Sequence, residues 1–244
     1  MSRTFNLLII NPNSSKSVTD GLRTSLDPFA PPGTCLSYFT APSPAPTAIS
    51  DTITANLTAT YCYQDLIDRN AFEQYDGFLV CCFSDHPLTH MLREHLTSIH
   101  SSKPVINIFE AAVSHALLLG RRFAIITTLE SMKHPLVSAT GTFLGGTKSE
   151  RFVDVLTTGL GVVELREGDR EKVERVMKST AARAAGLGAD VLLLGCAGMA
   201  GMEELVKEGV RETVGHEVHA VDGALAGVEL LAGLVRAYTV QKSE

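Results

Sequence analysis

The chain lacks the features that would mark a membrane protein, a secreted disulfide scaffold or a nucleic-acid binder. No stretch of about 18 residues runs free of charged or polar breaks, the length a membrane span needs. The longest apolar stretch, Ala224 to Tyr238, carries Glu229 and Arg236 and reads as an amphipathic helix. The first residues lack the charged-then-apolar layout of a secretion signal. No basic patch is present either: the net charge is −6 and the 21 lysines and arginines are scattered. The cysteines number five, an odd count that points to free thiols in a reducing compartment, hence a cytoplasmic location. What remains is a chain with a small-molecule ligand, and with neither nucleic acid nor membrane as partner.

What is there is a repeated layout. In VLLLGCAGMAGM, Val191 to Met202, a turn signal (Gly188-Ala189-Asp190) leads into an apolar run, Val191 to Leu194, and then into Cys196. Such a run is a buried strand of a parallel sheet. Cys196 therefore sits just past the carboxyl end of a strand, where open α/β sheets place their ligand sites. The small residues Ala197, Gly198, Ala200 and Gly201 let backbone N–H groups come close to a ligand. YDGFLVCCFSD, Tyr75 to Asp85, has the same layout and ends its strand, Gly77 to Cys82, on Cys82.

The pattern extends beyond these two runs. Phe5 to Ile10 is a strand that stops at Asn11-Pro12-Asn13-Ser14-Ser15, where Ser14 or Ser15 caps a helix reaching Leu26. Arg122 to Ile126 is its counterpart, ending at Thr127-Thr128. Asn11 to Cys82 spans 71 positions and Thr127 to Cys196 spans 69, so a βα unit is duplicated. Further strands are expected at Cys35–Phe39, Val105–Ile108, Phe152–Leu156 and Val218–Val221. Helices are expected at Asp51–Asp68, from an Asp85 cap to Ile99, at Glu110–Leu119, Glu130–Leu144, Asp169–Ala185, Met202–Thr213 and Ala224–Tyr238. Six of the ten prolines fall between Pro28 and Pro46, a semi-rigid segment suited to covering a site. Alternating strands and helices imply an α/β fold of two pseudo-symmetric lobes, each a parallel sheet flanked by helices, with the active site in the cleft between them. With the last strand and helix assigned to the first lobe, the lobes comprise residues 1–105 plus 217–244 and 106–216.

Two cysteines at equivalent strand ends in facing lobes reach one substrate carbon from both sides. That arrangement suits stereoinversion: one thiolate removes a proton from a carbon acid and the opposite thiol returns one to the other face. One thiol must be ionised and the other not. The helix start near Asp85 and the glycine-rich segment after Cys196 can stabilise the thiolates or the enolate-like oxygen, and the residues alone leave both roles open. Competing patterns are weaker. Cys82, His86 and His90 have a zinc-like spacing, but Pro87 and the helix start interrupt a common face. Ser84-Asp85-His86 contains triad residue types as mere sequence neighbours. Alternation turns Cys81 into packing, Cys35 and Cys62 have no comparable setting, and Glu110 is a favourable charge at a helix start.

INPNSS at Ile10–Ser15, CFSD at Cys82–Asp85, FEAA at Phe109–Ala112, FAIITT at Phe123–Thr128, GCAGMAG at Gly195–Gly201 and VDG at Val221–Gly223 together resemble the hydantoin and allantoin racemases of the aspartate/glutamate racemase superfamily and their fungal relatives. The resemblance implies that Cys82 and Cys196 are the acid/base pair and that no metal or pyridoxal cofactor is used. It also implies that Asn13, Ser84, Asp85, Thr127 and the backbone at Ala197 and Gly198 line the substrate site, and that the chain forms homo-oligomers. Three places depart from the family pattern: Cys81, Phe109 and the proline-rich loop Ala41–Ile49. A pocket shaped by Phe109 and this loop would alter the substrate. The expected activity is a cofactor-independent racemisation of a 5-substituted hydantoin or allantoin, with an amino-acid racemase, a malonate-type decarboxylase and a non-catalytic binding protein as the rivals.

Overall fold

The computed structural model describes residues 3–146 and 148–240. In chain order the elements are β1 (Phe5–Asn11), α1 (Lys16–Leu26), β2 (Thr34–Thr40), α2 (Thr52–Asp68), α3 (Ala71–Gln74), β3 (Gly77–Val80), α4 (Pro87–Ser98), β4 (Val105–Asn107), α5 (Ile108–Leu119), β5 (Phe123–Thr127), α6 (Lys133–Phe143), β6 (Phe152–Thr157), α7 (Val162–Glu167), α8 (Arg170–Gly186), β7 (Val191–Leu194), α9 (Glu203–Val214), β8 (His219–Asp222) and α10 (Gly223–Val240). Strands and helices alternate as the apolar runs predict. Two four-stranded parallel sheets result, ordered β2-β1-β3-β4 and β6-β5-β7-β8. The order is the same in both, so the duplication read from spacing extends to four strands.

Helices on both faces explain why the inner strands read as unbroken apolar runs. Leu7 to Ile10 and Phe78 to Val80 are buried in one unit, and Phe123 to Ile126 with Val191 to Leu194 in the other. The edge strand β2 is only partly covered, and its Cys35 is exposed. Each sheet has its own core, built around Leu8, Phe39, Leu66 and Phe78 in the first and around Ile126, Met177, Leu192 and Val206 in the second.

The chain divides into one compact unit reaching Ile108 and resuming at Ala224, and a second from Phe109 to Gly223. The strand expected to return to the first lobe, near Val218–Val221, is β8, and it pairs with β7 in the second sheet, His219 opposite Val191 and Asp222 opposite Leu194. A strand that begins only a short loop after α9 ends at Val214 needs no long return, and β8 follows β7–α9 as β4 follows β3–α4. Only the helices after these strands change units: α5 leaves β4 for the second unit and α10 leaves β8 for the first. Two glycines let α10 lie close on β3. A Cβ on Gly77 would meet Val235 Cγ2 at 2.8 Å, and one on Gly227 would meet Leu79 Cδ1 at 2.7 Å.

Other boundaries follow from local chemistry. Asp51 caps α2 in a reciprocal capping box with Thr54, and Asp169 caps α8 through Lys172 N–H. Ser15 occupies the cap position of α1, but its hydroxyl pairs with Ser17 Oγ at 2.9 Å instead of capping. The cap of α4 is His86, not Asp85. Pro87 is the first helical residue, and a proline forces its predecessor into the extended conformation a cap requires. The six-residue α7 has no counterpart in the expected elements. Among the described residues no helix is long and apolar enough to cross a membrane.

Candidate active site

Parallel strands deliver their following loops to one edge, and in each unit the two inner strands end in register. In the first unit Ile10 lies opposite Val80, and the ladder gains one more bond from Cys81 N–H to Ile10 C=O at 2.8 Å. In the second Ile126 lies opposite Leu194, and Gly195 N–H donates to Ile126 C=O at 2.7 Å. Cys81 and Gly195 are therefore equivalent, and Cys82 and Cys196 are the next residue in each case. Asn11 and Thr127 end the neighbouring strands.

At the first strand end Cys82 is half-buried, with its Sγ 3.2 Å from Ser84 Oγ, while Ser84 N–H donates to Cys82 C=O at 2.9 Å. The loop beside it is built on Asn11, which is fully buried. Its Nδ2 lies 2.9 Å from Ser15 C=O, 3.1 Å from Asn13 Oδ1 and 3.1 Å from Thr19 Oγ1, and its Oδ1 accepts from Asn13 N–H at 3.2 Å. Asn13 Oδ1 accepts in turn from Ser15 N–H at 2.9 Å. The proline-rich loop is stitched onto this turn, because Ser14 donates to Ala45 C=O at 2.6 Å and to Pro46 C=O at 3.0 Å. Ala41 and Ala45 are buried in the first core, so the start of that loop is a packed wall.

The residues after Ser84 diverge. Asp85 is exposed and paired with His90 Nε2 at 2.6 Å. His86 is fully buried: its Nδ1 accepts from Leu88 N–H at 3.3 Å, so Nε2 carries the proton and donates to Thr58 Oγ1 at 3.1 Å. Burial pushes its pKa down to about 4, against a smaller opposing effect of Asp85. The zinc-like set Cys82, His86 and His90 is thus not brought together, and neither is Ser84-Asp85-His86 as a triad. No group of three metal-ligating side chains gathers among the described residues. Cys62 is buried and donates to Pro12 C=O at 3.5 Å, and its burial raises the thiol pKa to about 12. Cys81 is buried in packing.

The second strand end is built differently. Cys196 is half-buried, and its Sγ accepts from Gly198 N–H at 3.3 Å within the short 3₁₀ turn Ala197–Met199. Burial raises its pKa, while the Gly198 N–H and the Arg166 charge pull it down. Helix α7 packs against this turn: a Cβ on Gly198 would lie 3.4 Å from both Leu165 and Val162. Thr127 is buried and donates through Oγ1 to Gly195 C=O at 3.2 Å, which ties the end of β5 to the residue before the thiol. Phe109 is fully buried and meets Phe143 edge-on at 6.0 Å.

The sequence alone assigns no hydrogen-bonding role to Asn11, His86 or Thr58 at the first strand end, and no helix where α7 packs at the second. A buried asparagine closing an apolar strand before Pro12 was the available signal for the first. α7 is a VVELRE segment between glycines, too short and too β-branched to show helical periodicity.

Comparison with known proteins identifies the family to which this sequence and fold belong. Residues 7–231 match the sequence model of the family described as Asp/Glu/Hydantoin racemase. An uncharacterised protein of Schizosaccharomyces pombe is 37% identical over 231 residues, covering 94% of this chain and 92% of that protein. A hydantoin racemase of a Pseudomonas species is 26% identical over 93% of this chain and 84% of its own. The solved allantoin racemase from Klebsiella pneumoniae superposes with a TM-score of 0.77 at 25% identity, covering 96% of this chain and 89% of that one. The chain belongs to the Asp/Glu/hydantoin racemase family and is by that membership an isomerase of the racemase type.

Proposed function

We propose that the chain racemises a 5-substituted hydantoin or allantoin by a two-base mechanism in which Cys82 and Cys196 face one substrate carbon from opposite sides. The observation that carries the reading is the equivalence of the two thiols, each one residue beyond the same ladder bond. A thiolate takes the proton from the carbon next to the ring carbonyl, and the electron pair moves onto that carbonyl as an enolate. The opposite thiol then gives its proton to the other face, and the enolate collapses to the carbonyl. One thiol ends neutral and the other ionised, ready for the reverse direction.

The residues around the thiols supply what this step needs. Gly198 N–H already donates to Cys196 Sγ, so its role is to stabilise that thiolate, with Arg166 adding a longer-range charge. Ser84 does the same for Cys82 through its hydroxyl. Asn13 meets a carbonyl of the ligand, Thr127 accepts from a ring N–H, and Ala197 N–H supports the enolate oxygen. Asp85 lies outside the proton path, its carboxylate held by His90.

Incubation in D₂O with single enantiomers of allantoin, 5-substituted hydantoins, aspartate and glutamate, followed by NMR and optical rotation, tests the reading. Loss of the α-proton signal with racemisation of a hydantoin or of allantoin is expected. Exchange confined to aspartate or glutamate, or none at all, would overturn the substrate class.

A further inference from the structure

We infer that Asn11 is a positioning residue that locks the Asn13 side chain with its amide N–H groups outward, so the group met there is a hydrogen-bond acceptor and never an ammonium. The inference deepens the proposed function, since it rests on Asn13 facing the substrate. It follows from counting donors and acceptors around two amides.

Asn11 Nδ2 is surrounded by acceptors: Ser15 C=O at 2.9 Å, Asn13 Oδ1 at 3.1 Å and Thr19 Oγ1 at 3.1 Å. Turning the Asn11 amide over would set its oxygen against the Ser15 carbonyl and its N–H groups against Asn13 N–H, which now donates to Oδ1 at 3.2 Å. One orientation therefore satisfies the buried amide and the other leaves like groups facing each other. Thr19 is held by Thr40 Oγ1 at 2.6 Å, so the network ties the end of β1 to α1 and to the end of β2.

The lock passes to Asn13. Its Oδ1 accepts from Ser15 N–H at 2.9 Å and from Asn11 Nδ2, both on the side of the loop. A flipped Asn13 would present N–H groups to two donors. Its backbone is held as well, because Ala41 N–H is shared between Asn11 C=O at 3.1 Å and Asn13 C=O at 3.3 Å. With the oxygen committed to the loop, Asn13 offers a ligand two N–H donors. A ring carbonyl or a carboxylate suits that position, and the free α-ammonium of an amino acid, itself a donor, does not. A cyclic ureide presents carbonyls on both sides of its ring nitrogen and meets the requirement in either orientation.

Two measurements test the inference on the full chain. The first needs no ligand: side-chain amide resonances of Asn11 and Asn13 are assigned by NMR and their exchange with solvent compared. The Asn11 NH₂ should be strongly protected and the Asn13 NH₂ should exchange readily. Equal exchange, or protection of Asn13, would overturn the lock. The second is calorimetric binding of unsubstituted hydantoin, read independently of turnover, to the parent, Asn11→Ala, Asn13→Ala and the double variant. Loss of one donated hydrogen bond should weaken binding about tenfold in Asn13→Ala. If Asn11 acts through Asn13, the double variant should bind no worse than Asn13→Ala. Asn13→Asp, which keeps the oxygen for Ser15 but offers no donor outward, should also bind weakly. Additive losses, or full binding by Asn13→Asp, would overturn the positioning role while leaving the racemase reading intact. A parent that exchanges as predicted but does not bind hydantoin would keep the lock and overturn the ureide assignment together with the acceptor claim.

Discussion

The two strand ends that carry Cys82 and Cys196 share a backbone and differ in almost everything around it. Both thiols follow the same extra ladder bond at the carboxyl edge of a parallel sheet. Around Cys82 the polar groups are side chains: Ser84 at the sulfur, the Asn11–Asn13 pair in the adjoining loop, and His86 capping the helix that follows. Around Cys196 the donor is a backbone N–H, and Leu165, Val162 and Met199 supply an apolar wall. Duplication has kept what places the thiols and has let their environments diverge. Acid/base pairs benefit from such divergence, because two titratable groups in unequal settings differ more readily in protonation.

The strongest way to break the comparison is to remove one sulfur. Cys82→Ser and Cys196→Ser should each lower racemisation about 10²- to 10⁴-fold, the range for losing a positioned acid or base. Polarimetry with a single enantiomer checks this, and undiminished turnover by both variants would refute the pairing.

The histidine gives the next largest effect. His86 has its pKa lowered to about 4 by burial, so the unfolded chain binds a proton that the folded chain refuses. Its contribution is fully present above the ordinary histidine pKa of about 6.5 and is lost as pH falls toward 4, amounting to about 3 kcal/mol. Urea titrations at neutral pH and near pH 4.5 should show this decline, and His86→Gln should show a shallower one.

A third test exploits the first residue of the inner strand, Gly77 in one unit and Val191 in the other. Gly77→Val places a branched side chain against Val235 and Leu231 of α10 and should destabilise by about 1–3 kcal/mol in denaturant titration. The smallest effect concerns Arg166, whose charge lowers the Cys196 pKa from some distance. Arg166→Gln should move the pH midpoint of Cys196 alkylation upward by a fraction of a unit, while leaving that of Cys82 unchanged.

Much of this was legible in the residues because short apolar runs ended by turn signals are the mark of buried parallel strands. Val191–Leu194 is a strand over the expected span, and the equal spacing of Asn11–Cys82 and Thr127–Cys196 reflects equal sheet order. The same repeat, carried one strand further, would have placed β8 with β7. Helix α10 does return to the first unit while β8 stays paired with β7, and nothing local in the sequence separates that helix from the strand just before it. The cap of α4 depended on conformation at His86, where the proline's steric demand outweighed aspartate's general preference for caps. The Asn11 network is tertiary: its Thr19 and Thr40 partners lie 8 and 29 positions away in sequence, and no periodic pattern announces them.

The most direct test of the two-base account follows the isotope in the early turnovers of one enantiomer in D₂O. If Cys82 and Cys196 act on opposite faces, the newly formed enantiomer carries deuterium at its stereocentre while the recovered starting enantiomer retains protium. Equal deuterium in the recovered starting enantiomer and in the product would show a single base serving both faces, and would contradict the account.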